Sequence, residues 1–388
     1  MPRTTHATRG RLTVEDCRIE DLAALVGEPT DPCRYPHATT VEQGVVVYDG
    51  AGLLTAAATE AGRWDVRAEL VDAFTDGPGV VVVRGAYPDR GVVDRATAVF
   101  EELIAGQRAA GTVAGDHFAP PGANDRVWNA LEKLALRAPE VFVDYYANDV
   151  LALVAEAWLG PGYQVTSQIN LVNPGGTAQV GHRDYHLGFL PGTTIEQYPA
   201  HVHRLSPVLT LQGAVAHSDM PVESGPTLYL PHSQKYEPGY LATNLPDFRM
   251  FFEAHNVQLP LSTGDAAFFN PAVIHGAGHN RSADVRRMAN LLQISSAFGR
   301  AMESVDREAM CLALYPTLRI RGADATGNAI AAAAEGYAFP TNLDRDPPVD
   351  GLAPLSQADL VRRAVAQRWA DDTFRAELAA WSERRRTA

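Results

Sequence analysis

Cysteine is scarce in this 388-residue chain: Cys17, Cys33 and Cys311 are too few and too scattered for a disulfide framework or a cysteine-rich zinc site. A reducing, cytoplasmic setting is the expectation that follows. Long apolar runs are missing too. Nothing approaches the roughly 20 apolar residues of a membrane span, and the N-terminal residues lack the continuous apolar segment of a secretory signal. Positive charge is in deficit, with 33 Lys and Arg against 46 Asp and Glu and a formal net charge of −13. The long-range field therefore repels nucleic acid and anionic membranes. The small basic runs, near residue 10 and at Arg384, Arg385 and Arg386, read as solvated ends.

What is present suits a soluble globular protein with a sizeable core: 46% hydrophobic and 20% charged residues. One catalytic unit is expected, with an irregular N-terminal arm over 1–65, a β-rich domain with bracing helices over 66–297, and a helical extension over 298–388. The extension either packs on the same unit or forms a dimer contact. The run VRAELVDAFTDG from Val66 predicts a helix stopped by Gly77 and Pro78, and GVVVVRG a buried strand. Further helices are predicted over Val92–Ala110, Pro139–Leu159 and Gln357–Arg384. From Tyr163 to Ser296 the chain turns to short β-rich runs separated by turn signals, among them YQVTSQINLV, AQVGHRDYH, VLTLQGAVAH, GDAAFFN and RMANLLQIS. The fold class expected is mainly β with flanking helices, an antiparallel sandwich or jelly roll.

The chemistry centres on His182-Arg183-Asp184. In extended chain alternate side chains share a face, so His182 and Asp184 converge and Arg183 points away. An imidazole and a carboxylate suit a borderline first-row metal, and a second histidine completes a two-His-one-carboxylate facial triad with open positions. His275 is the candidate, ending a strand beside the small residues Gly276 and Gly278. By itself His-x-Asp also fits a chance surface pair. After His275 come Arg286 and Arg287, which period two sends to opposite faces. Arg286 shares its face with Met288, Leu292 and Ile294, so Arg286 is expected to point into the barrel, where a buried guanidinium needs an anion such as a carboxylate or an internal Asp or Glu.

Across roughly residues 66–297 these features resemble the phytanoyl-CoA dioxygenase family of iron(II)/2-oxoglutarate oxygenases. HSDMPVESGPTLYLPHSQK looks like that family's acidic turn, Gly-Pro step and "PGSH"-like segment, with Glu223, Gly225, Pro226, Pro231 and Ser233 in register and His232 in place of the usual Gly. The resemblance implies a double-stranded β-helix of cupin-like form. It also implies iron(II) on His182, Asp184 and His275, and 2-oxoglutarate with its far carboxylate on Arg286. O2 would be the oxidant, and succinate and carbon dioxide the by-products of C–H oxidation on a small or medium-sized metabolite. Hydroxylation, desaturation, ring closure and epimerisation all remain open.

Other residues are candidates of lower rank. Gln168 and Asn170 share one face of the strand before the metal pair and can either hydrogen-bond 2-oxoglutarate or make ordinary sheet contacts; Thr227 is similar. By parity His186 joins the face of His182 and Asp184, unless the chain bends after Asp184. His201-Val202-His203 reads as a surface loop. The segment 186–207 is long for a connection and carries Leu187, Phe189 and Ile195 with Gly188 and Gly192, which suits a lid over the substrate. Arg204 is its only Lys or Arg, so a coenzyme A thioester is not the expected substrate. Two rivals stand beside the oxygenase: a metal-dependent hydrolase on His182, Asp184 and His186, and a non-catalytic jelly-roll binding module.

Overall fold

The computed structural model describes residues 10–111 and 123–387. Helix Glu60–Thr75 starts at Thr59, whose hydroxyl accepts from the Gly62 amide at 3.1 Å, and its chain then enters a strand through Gly77 and Pro78. The segment expected as one helix from Pro139 forms two, Pro139–Tyr146 and Asp149–Leu159, because Asn148 caps the second by accepting from the Leu151 amide at 2.9 Å. The last predicted helix also divides, into Gln357–Ala366 and Asp371–Arg385, with Arg368 between them in the left-handed region.

The strands are β1 (Thr40–Glu42), β2 (Val45–Asp49), β3 (Val80–Arg84), β4 (Asn124–Val127), β5 (Gln164–Val172), β6 (Thr210–Ala216), β7 (Leu228–Leu230), β8 (Val257–Gln258), β9 (Ala266–Phe269), β10 (Ile274–Gly276) and β11 (Arg287–Ser295). Eight form a large sheet in the order β1-β2-β3-β9-β6-β11-β5-β4, antiparallel except for β2 beside β3; β10-β7-β8 form a small one. The supposed irregular arm thus supplies two strands. Helix occupies 47% of the described residues and strand 16%, so "mainly β" is corrected: a jelly-roll-like core is embedded in a larger helical mass.

Both faces of the large sheet are buried. One packs on the helices, with Val165, Ile169 and Leu171 of β5 and Met288, Leu292 and Ile294 of β11 joining Phe100, Leu134, Leu153 and Leu314 in one core. Residues of the C-terminal helices, Phe374 and Trp381, belong to that same core. The other face meets the small sheet through Val80, Val82, Ala267 and Phe269 against Tyr229, Leu259 and Val273.

Behind the sheet lies a buried polar relay. Thr97 Oγ1 donates to the Val93 carbonyl at 2.8 Å, so it accepts from His217 Nδ1 at 2.7 Å; His217 Nε2 then accepts from the Tyr145 hydroxyl at 2.9 Å. Burial pushes the His217 imidazole down to about 3. With the folded pKa depressed below the unfolded one, the unfolded state binds the extra proton, and stability falls as pH drops from about 6.5 toward 3. Urea titrations across that window are expected to show a weaker pH dependence in His217→Asn than in the wild type; equal slopes would contradict the assignment.

Candidate active site

His182 lies in no long strand. It forms an isolated antiparallel bridge with His275, amide to carbonyl both ways at 2.9 and 3.0 Å, while β10 pairs with β7 and sets His275 opposite Tyr229. The parity argument survives because residues 182–184 are locally extended: Arg183 points away and is buried, donating to the Ser233 and Tyr236 carbonyls at 2.5 and 2.8 Å and stacking over Tyr240. That anchor fixes the segment carrying both ligands. On the other side Ser233 Oγ accepts from the Ile274 amide at 2.8 Å and steadies the strand of His275.

His182 Nε2 is 3.6 Å from Asp184 Oδ1, and His275 Nε2 is 3.4 Å from Asp184 Oδ2. The three donor atoms lie within 4.8 Å of one another, a cluster able to hold a metal ion. Each imidazole donates its Nδ1 proton to a backbone carbonyl two residues back, Val180 at 2.8 Å and Val273 at 2.9 Å, leaving Nε2 as the lone-pair donor. Burial pushes His182 below its ordinary value, toward the neutral form that metal ligation needs. Burial alone would raise Asp184, but the neighbouring His182 and His275 rings and the hydrogen bond from Gln212 outweigh it and hold the carboxyl well below the usual range. Two neutral nitrogens and one carboxylate suit a first-row divalent metal.

The triad opens into a cavity of about 680 Å3 between the two sheets. Gln168, Asn170, Thr227 and Phe189 line it, Phe189 at an exposed position. Here one expectation fails. Arg287, not Arg286, lines the cavity: Arg287 is buried, whereas the Arg286 side chain is 48% exposed and lies 3.9 Å from Glu101. The apolar face of β11 packs beneath the helices instead of forming the barrel interior, and the mixed face of Arg287, Ala289, Leu291 and Gln293 turns to the cavity. Burial pushes Arg287 down to about 10, and its guanidinium makes no hydrogen bond or ion pair among the described residues. A desolvated cation facing a cavity is a seat for an anion.

His186 also departs from expectation. Tyr185 and His186 both have positive φ, the chain turns sharply after Asp184, and His186 Nδ1 lies 3.2 Å from Ser206 Oγ, outside the cavity lining. A hydrolase built on His182, Asp184 and His186 therefore lacks its third ligand. His201 and His203 sit in helix Ala200–Val208 instead of a loop, with His203 buried. The segment 186–207 is largely folded: Leu187 and Ile195 pack on Tyr240 and Leu241, and the N-terminal strap holds it through Arg11 Nε to the Glu196 carbonyl at 3.2 Å and the Val14 amide to Glu196 Oε1 at 3.0 Å.

The turn beyond β6 behaves as its residues require. Gly225 has φ +75, and a Cβ there would lie 2.5 Å from the His279 carbonyl oxygen. His232, standing where the family pattern has Gly, adopts φ 68 and is tied by its ring to Thr30 Oγ1 at 2.9 Å. Gln212, unremarked in the sequence, donates to Asp184 Oδ2 at 2.5 Å. A lone amide in the apolar run from Leu211 to Ala216 was the available signal.

The family model of phytanoyl-CoA dioxygenase (PhyH) matches residues 65–288. The chain belongs to that family. Its members are iron(II)/2-oxoglutarate oxygenases, and the donor set and buried cation of this PhyH chain fit that metal and cosubstrate. No curated protein matches the chain. Among solved structures, AviO1 from Streptomyces viridochromogenes Tue57 is 21% identical over 61% of this chain and 97% of AviO1, with a TM-score of 0.43. HygX from Streptomyces hygroscopicus, solved with nickel and 2-oxoglutarate bound, is 16% identical over 61% of this chain and 90% of HygX, TM-score 0.40. SnoK, a non-heme alpha ketoglutarate dependent carbocyclase from nogalamycin biosynthesis, is 21% identical over 59% of this chain and 83% of SnoK, TM-score 0.44.

Proposed function

We propose that this PhyH-family chain is a dioxygenase that hydroxylates a C–H bond of a small or medium-sized metabolite while converting 2-oxoglutarate to succinate and carbon dioxide. The observation that carries the reading is a buried cation, Arg287, in the same cavity as the His182-Asp184-His275 cluster, with no anion to meet it among the described residues. His182, Asp184 and His275 would hold the iron through three donors and leave its remaining positions for cosubstrate and oxygen. Arg287 would take the far carboxylate of 2-oxoglutarate as a charge-assisted pair, with Gln168, Asn170 and Thr227 as amide and hydroxyl partners along the same wall. Bound iron and 2-oxoglutarate supply the oxidising power; the chain supplies position and a dry site. Val82, Ala214, Leu259, Leu261 and Ala267 exclude water from it. Phe189, at the rim, is the part of segment 186–207 placed to gate the entrance.

Incubation with iron(II), ascorbate, 2-oxoglutarate and a metabolite panel is expected to release succinate in step with a product one oxygen heavier. Chlorinated product is not expected in chloride buffer, because Asp184 would supply a third protein donor to the metal where a halide would otherwise bind. Absence of succinate under every condition would refute the oxygenase reading, and a chlorinated product would refute the hydroxylation.

A further inference from the structure

Four side chains from adjacent strands, Arg126, Gln168, Gln293 and Gln212, run across the cavity toward the metal cluster, hydrogen-bonded in sequence except between the last two. Arg126 of β4 donates from Nη1 to Gln168 Oε1 of β5 at 2.8 Å, and Gln168 donates from Nε2 to Gln293 Oε1 of β11 at 3.3 Å. At the far end Gln212 of β6 donates from Nε2 to Asp184 Oδ2 at 2.5 Å. The direction is the same throughout: N–H toward oxygen, ending on the carboxylate. The relay has one gap. Among the described residues Gln293 Nε2 makes no hydrogen bond and Gln212 Oε1 is buried without a partner. Gln293 and Gln212 are direct partners across the β11–β6 ladder, and both line the cavity. Their Cβ atoms are thus about 5 Å apart.

The gap has a definite chemistry. It offers an N–H on one side and a carbonyl oxygen on the other, so a filling group must accept and donate at once. A hydroxyl does both. An ammonium can only donate and would face the Gln293 N–H; a ketone or carboxylate can only accept and would leave Gln212 Oε1 opposed by a second oxygen. An unpaired buried carbonyl is costly, which gives the site reason to prefer a ligand that completes the chain.

We propose that the substrate carries an alcohol hydroxyl that bridges Gln293 Nε2 and Gln212 Oε1, and that this bridge sets its carbon skeleton beside the metal ligand Asp184. The inference rests on the oxygenase reading above and narrows its substrate to hydroxylated metabolites.

The test uses the full chain loaded with nickel(II) and 2-oxoglutarate, which holds the site without turnover. Four probes on one ring, cyclohexanol, cyclohexanone, cyclohexylammonium and cyclohexanecarboxylate, are titrated by ligand-observed NMR. Cyclohexanol is expected to bind at least about fivefold more tightly than the others, the gain from two neutral hydrogen bonds. Gln293→Leu should erase the preference. Gln293→Glu, which places a second acceptor at the gap, should pass it to cyclohexylammonium, a reversal that loss of packing alone would not produce. Equal binding of the four probes by the wild type, as when water fills the gap, overturns the proposal, and so does an alcohol preference that persists in Gln293→Leu. Nickel and 2-oxoglutarate occupancy is measured on the same samples: a wild type that retains neither defeats the oxygenase reading itself, whereas full occupancy without alcohol preference defeats only this inference.

Discussion

Asp184→Ala is expected to weaken iron(II) binding by more than about 100-fold and to abolish turnover. Removing an outer partner of a metal ligand already costs roughly 10–100-fold in affinity, and Asp184 is the cluster's only anion. Its loss leaves two neutral imidazoles, His182 and His275, to hold a divalent cation in a partly dehydrated cavity. His275→Ala should behave in the same way. His186→Ala is the control, since its ring lies against Ser206 and lines no part of the cavity. Equilibrium dialysis against iron(II) under anaerobic conditions reads the effect directly. Affinity retained in Asp184→Ala, or lost in His186→Ala, would move the metal elsewhere.

Arg287→Ala should raise the 2-oxoglutarate KM on the order of 30-fold to several thousandfold, corresponding to roughly 2–5 kcal/mol for truncating one side of a buried charge pair. Arg286→Ala should change it little. The Arg286 side chain is 48% exposed and makes a long contact of 3.9 Å with Glu101, a surface pair worth about 0–1 kcal/mol. Steady-state kinetics at varied 2-oxoglutarate distinguish the two. A larger effect at Arg286 would restore the face assignment made from sequence and contradict the structure.

The contrast between these neighbouring arginines shows what the sequence could and could not disclose. Alternation along extended chain is local, so the convergence of His182 and Asp184 was legible even though the flanking strand does not form. Choosing between Arg286 and Arg287 needed knowledge of which face of β11 meets the cavity. Apolar content decides that only when one face alone is buried. Here both are: Met288, Leu292 and Ile294 pack on helices, and the mixed face of Arg287, Ala289, Leu291 and Gln293 turns to the cavity. His186 was misplaced for a related reason, since the left-handed turn at Tyr185 and His186 comes from tertiary packing and leaves no glycine as a signal. Helix was underestimated for the opposite cause. The β-rich runs between Tyr163 and Ser296 announce themselves by alternation, whereas the helices at Ala200–Val208 and Pro246–His255 hide in segments rich in Pro, His and aromatic residues. Gln212 and Gln293 were invisible as a pair because their register appears only once β6 and β11 are joined.

The most direct test of the central claim is an anaerobic titration of the iron(II)-loaded chain with 2-oxoglutarate, followed by visible charge-transfer absorbance. A saturable band at one equivalent per chain is expected. The band should be absent in His275→Ala and should require far higher 2-oxoglutarate in Arg287→Ala, with Arg286→Ala like the wild type. A wild-type chain that binds iron yet develops no band at any 2-oxoglutarate concentration would contradict it.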